Sequence, residues 1–121
     1  MSKKSASYVN RFSKAKQMQA LLVMHLNEVY MGRKIFTEYK FKPGRQFAFD
    51  VAVLDYEEPE KIACEIEGGA WVQGAHNRGK HFISDMEKYN LAAAMGWKVF
   101  RFTPQQVEKG EAIAWLKEHM S

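Results

Sequence analysis

The chain has 121 residues, 46% hydrophobic and 26% charged, with a formal net charge of +4 and a single cysteine. That length carries one packed core and not two, and the composition excludes a disordered chain. One cysteine excludes an internal disulfide framework and a multi-cysteine zinc site and points to a reducing compartment, while the basic balance suits nucleic acid without requiring it.

The opening stretch MSKKSASYVNRFSK is basic and has no apolar run behind it of the kind a signal peptide carries. Residues 1–12 are expected to form a flexible basic segment of a single domain spanning 1–121, with Lys3, Lys4, Arg11, Lys14 and Lys16 offering salt-sensitive affinity for DNA or a solvated end. From about Asn10 to Met31, Met18, Leu21, Leu22, Leu26 and Val29 fall on one helical face, and Gly32 is the expected stop. The run ALLVMHL is far too short to span a membrane, so the chain reads as cytoplasmic with no membrane partner.

KIFTEYKFK (Lys34 to Lys42) alternates and is rich in aromatic and β-branched residues, which predicts a strand. Pro43, Gly44 and Arg45 make a turn, and QFAFDVAVL (Gln46 to Leu54) predicts a second strand, apolar on both faces apart from Asp50 and hence central. After the polar turn DYEEPE, KIACEIEGG predicts a third strand closed by glycines. AWVQGAHNRGK is expected to be a loop, with Trp71 anchoring it, and HFISDMEKYNLAAAMG predicts a second helix stopped by Gly96. WKVFRFT predicts a fourth strand, and Thr103-Pro104 starts one or two short terminal helices, with threonine as cap. Three strands in succession favour antiparallel pairing, and a helix before the fourth favours a parallel crossover, giving a mixed α/β sheet with helices packed on it.

Residues two apart on a strand share a face, so Glu65 and Glu67 project together while Cys64 and Ile66 face the other way. A hairpin centred near Tyr56 to Glu58 puts Asp50 opposite Glu65, and three acids then converge on one sheet face. Like charges that close raise one another's pKa, and a hard divalent cation such as Mg²⁺ removes the penalty. Two carboxylates on a strand more often make a solvated face, but Asp50 inside FAFDVAVL fits that explanation poorly. His25 and Cys64 read as structural, the latter a small buried hydrophobe.

The order αβββαβ, the aspartate in the second strand and the acid-x-acid element in the third resemble the PD-(D/E)XK nuclease superfamily. EYKFKPGRQFAFDVAV, CEIEGGAW, GAHNRGKHF and DMEKYNLAAAMGWKVFRFT resemble small phage and prophage endonucleases related to its very-short-patch-repair and Holliday-junction-resolvase-like branches, over about Thr37 to Val107. The resemblance implies a restriction-endonuclease-like core with a C-terminal helix. It also implies an endonuclease that hydrolyses DNA phosphodiesters with Mg²⁺ or Mn²⁺, acting on junctions, flaps, nicks or plain duplex in a bacterial host's cytoplasm. Asp50 and Glu65 would be metal ligands, joined by the Ile66 backbone carbonyl and by Glu67, which stands where the superfamily usually has lysine. His76 and Lys80 would act at the scissile phosphate, Arg78, Lys80, Lys88 and Arg45 would bind DNA phosphates, and Glu38 would be an accessory acid. The positive charge of the missing lysine would come from Lys80, Lys88 or His76; without a substitute, the chain would be an inactive DNA-binding module on a nuclease fold. Junction-cutting relatives act as dimers, for which the Met18 to Val29 helix face offers a surface.

Overall fold

Met18, Leu22 and Leu26 recur at every fourth residue along α1 (Lys3–Val29), and that spacing stacks them on one side of the helix, where all three are buried. The computed structural model describes the backbone of residues 3–55, 60–67 and 74–120, and the side chains of 14–55, 60–67 and 83–120. The Met18–Leu26 stripe lies in the core against the sheet and the C-terminal helices, which corrects its reading as a dimer surface. The helix also begins at Lys3, well before the periodicity that predicts it from Asn10. Helix propensity extends beyond the apolar periodicity, so an apolar stripe marks where a helix packs rather than where it starts.

Four strands, β1 (Lys34–Lys40), β2 (Ala48–Leu54), β3 (Lys61–Ile66) and β4 (Trp97–Phe102), form one sheet in the order β1-β2-β3-β4. The pairs β1/β2 and β2/β3 are antiparallel and β3/β4 is parallel, as short turns and an intervening helix require. That helix is α2 (Gly74–Ala94), and it replaces the loop expected over residues 74–80: its first turns precede the apolar stripe, as in α1. It ends where Gly96 adopts φ +86°, a left-handed conformation that glycine enters without a Cβ penalty. Thr103 caps α3 (Pro104–Glu108) in a reciprocal box with Gln106, and α4 (Glu111–Met120) closes the chain.

The result is an α/β domain with a mixed sheet covered on both faces. On one, Leu22 and Leu26 of α1 and Leu116 of α4 pack against Val51, Val53, Ile62 and Cys64. On the other, Ala92 of α2 packs with Phe41, Phe49, Ala52, Ala63 and Trp97. Cys64 is fully buried, and burial pushes its thiol up to about 12, so it is inert and acts as packing. No described helix is long and apolar enough to cross a membrane.

Candidate active site

The two cores reveal a break in the sheet's alternation. Val51 and Val53 face α1 and Ala52 faces α2, so strict alternation would turn Phe49 toward α1; Phe49 instead packs on the α2 side. In β1, Ile35 packs on the α1 side, whereas Tyr39 and Phe41 pack on the other. The register nevertheless does not slip: Thr37 pairs with Val51 and Tyr39 with Phe49. Both strands therefore switch faces at the one row between these pairs, Glu38 and Asp50. Glu38 accomplishes the switch with a φ of +49°, a left-handed conformation rare for a non-glycine residue.

Continuing the β2/β3 register one step beyond Val51↔Cys64 brings Asp50 opposite Glu65, as the hairpin arithmetic predicts. The bonds there are not ordinary ladder rungs. The Ile66 amide donates to Asp50 Oδ2 at 2.7 Å, and the Asp50 amide donates to Glu65 Oε2 at 3.2 Å. Glu65 is the buried charged residue among those described, 5% exposed, and its Oε1 is held by Lys88 Nζ and, at 3.0 Å, by the Tyr89 hydroxyl. Lys88 in turn sits over the rings of Phe49 at 5.6 Å and Tyr89 at 5.2 Å. A buried carboxylate without these partners would cost several kcal/mol, at least about 3 by general experience.

Asp50 is less well compensated. Burial above all, and then the charges of Glu65 and Glu38, push its carboxyl up to about 6, against the opposing bond from the Ile66 amide. Burial and the Glu65 charge likewise push the Tyr89 phenol up, so it remains a hydrogen-bond donor at neutral pH.

Glu67 lies just past the strand. Strand β3 ends at Ile66, the Glu67 amide bonds the Phe102 carbonyl at 2.8 Å, and its carboxylate lies 3.6 Å from Arg101 Nε. Arg101 itself lies 3.8 Å over the Tyr89 ring. On the other side of Asp50 the register places Glu38, so Glu38, Asp50 and Glu65 form a row across three strands, with Glu67 just past the end of β3 beside Arg101. Arg45 is half-exposed and paired with Glu87 of α2. The side chains of His76, Arg78 and Lys80, and the whole of Trp71, lie outside the described residues.

A cleft of about 340 Å³ opens beside the row, lined by Lys14, Lys16, Met18, Gln19, Glu38, Asp50, Ile66 and Pro104. Gln19 was not singled out by its sequence, yet its Nε2 donates to the Asp50 carbonyl at 2.9 Å and to Glu38 Oε1 at 3.2 Å. The available signal is its spacing: Gln19, Leu22 and Leu26 share one helix face, so a polar residue stands at the head of a buried stripe.

Among the described residues, no group of three His, Cys, Asp or Glu is drawn together tightly enough to hold a metal ion by itself. The donors present are nonetheless all oxygen: two facing carboxylates with the Ile66 backbone beside them and a third acid one strand away. That set fits Mg²⁺, which uses one or two carboxylates and completes its shell with water and substrate phosphate. Compared with family models, curated proteins and solved structures, the chain shows no match.

Proposed function

We infer that this chain is a divalent-metal-dependent endodeoxyribonuclease of the PD-(D/E)XK type, with a restriction-endonuclease-like core. The observation that carries the reading is the Asp50–Glu65 pair, facing across the β2/β3 hairpin beside a cleft, with Asp50 held up to about 6 by burial and by the neighbouring carboxylates. A structural salt-bridge cluster would pair both acids with cations; here Lys88 serves Glu65 and no cation among the described residues serves Asp50. Asp50, Glu65 and the Ile66 carbonyl would hold Mg²⁺ or Mn²⁺, with Glu38 as accessory acid. The ion would neutralise the phosphodiester and lower the pKa of an attacking water.

The chain's own residues supply the rest. Lys88 reaches Glu65 from α2 and is the substitute for the lysine whose motif position Glu67 occupies. It orients Glu65 and brings positive charge to the site. His76, Arg78 and Lys80, on the first turns of the same helix, would steady the scissile phosphate. Supercoiled, nicked, flapped and four-way-junction DNA incubated with Mg²⁺ or Mn²⁺ tests the reading. Cleavage of at least one substrate is expected, reduced at least about 100-fold by Asp50→Ala. No cleavage of any, or undiminished cleavage by the variant, would sink it.

One observation favours a second reading, a DNA-binding module that has lost catalysis. Both Glu65 oxygens are already engaged, by Lys88 and Tyr89 on one side and the Asp50 amide on the other. Such a module would shift DNA in gels with or without chelator and never nick it.

A further inference from the structure

We propose that the cleft between α1 and the acid row seats a backbone phosphate of the DNA strand on Lys16 and Lys14. The proposal rests on the nuclease reading and deepens it, because it fixes the side from which substrate meets the acids. Of the cations expected to bind phosphate, the two whose side chains are described are occupied: Arg45 by Glu87, Lys88 by Glu65. Others near the sheet are occupied as well, Arg101 by Glu67 and the Tyr89 ring, Lys98 by Glu60. Lys16 differs. It has no ion pair or hydrogen bond with a described residue, yet it lines the cleft. Lys14 lines it too, and its ammonium lies 3.5 Å from Glu108 with both side chains more than half exposed, a contact weak enough to exchange.

The decisive feature is a separation. Lys14 and Lys16 share a cleft of about 340 Å³ with Glu38 and Asp50, and neither lysine pairs with either acid. Opposite charges that share a cavity without closing on each other leave room for a matching pair between them. A phosphate belongs on the lysine wall and a hard cation on the acid wall, each completing the other's coordination. Met18, Ile66 and Pro104 make the rest of the lining apolar, which suits the sugar that accompanies a phosphate. Gln19 stands between the walls, and its amide ties the acid wall to the helix that carries the lysines.

Fluorescence anisotropy of labelled single-stranded and duplex oligonucleotides, with Ca²⁺ replacing Mg²⁺ so that turnover is not needed, tests the seat on the full chain. Lys14→Gln with Lys16→Gln is expected to weaken binding about ten-fold and to flatten the dependence of log affinity on log salt by between one and two units. Lys117→Gln, an exposed lysine on α4, is the control and should bind as wild type. Circular dichroism melts of each variant confirm that the fold is kept. A double variant with wild-type affinity and salt slope overturns the seat. A wild-type chain that binds through these lysines but cuts nothing keeps the seat and overturns the nuclease reading. Cleavage by the double variant at wild-type kcat/KM overturns the seat alone, and absence of any DNA binding overturns both.

Discussion

Glu65 shows how a single buried charge can be affordable on a sheet. Its carboxylate is 6% exposed and Lys88's side chain 14%, so solvent contributes little screening and each depends on the other. Lys88→Met therefore leaves an uncompensated charge and is expected to destabilise the fold by about 3–5 kcal/mol in urea titrations, with Glu65→Gln restoring most of that in the double variant. A loss under about 1 kcal/mol would show that the pair is not formed in solution. The local sequence could not give this pairing: Lys88 and Glu65 come together only once α2 has crossed over the sheet. Asp50 opposite Glu65 was legible, because hairpin arithmetic needs only a turn and two strands. The ion pair of Glu67 was not legible either, since Arg101, the residue of β4 opposite Glu65, reaches it only once the parallel strand is in place.

Among the elements, strands were easier to read than helix starts. Alternating aromatic and β-branched runs and the Pro43-Gly44 turn mark β1 and β2 within a few residues, whereas α1 and α2 both begin before their apolar stripes. The face switch in β1 had no signal at all, since a left-handed glutamate looks like any other glutamate in a sequence. It can be tested by inverting a familiar preference. Inside a regular strand, alanine is more stable than glycine; at position 38 the left-handed backbone reverses this, and Glu38→Gly is expected to exceed Glu38→Ala by about 1 kcal/mol. Both variants lose the carboxylate and its bond to Gln19, so the difference isolates backbone strain. Equal stabilities, or alanine the better, would mean that residue 38 relaxes to an ordinary strand conformation.

For the whole molecule, Asp50 couples stability to pH. Its carboxyl is raised from 3.8 to about 6. Between those values the folded chain holds a proton that the unfolded chain releases, so stability falls as pH rises through the window, and the full cost is present above about 6. That cost is on the order of 2 kcal/mol, given that the group is only partly buried. Asp50→Asn keeps an oxygen for the Ile66 amide and removes the charge. Its Tm should exceed that of the wild type at pH 7.5 by more than at pH 4, and Mn²⁺ should raise the wild-type Tm at pH 7.5 while leaving the variant unmoved. Parallel pH profiles would show that Asp50 ionises without strain in the folded chain.

The two acids also close the end of the β2/β3 hairpin, accepting from the Ile66 and Asp50 amides where ladder rungs would otherwise be. Drift at these positions is consequently restrained by folding as well as by chemistry. A descendant of this chain without the proposed activity would still keep them, or carry near-isosteric amides in their place. Lys16, which closes no hairpin and bonds no described residue, is the position whose retention or loss would track the proposed phosphate seat rather than the fold.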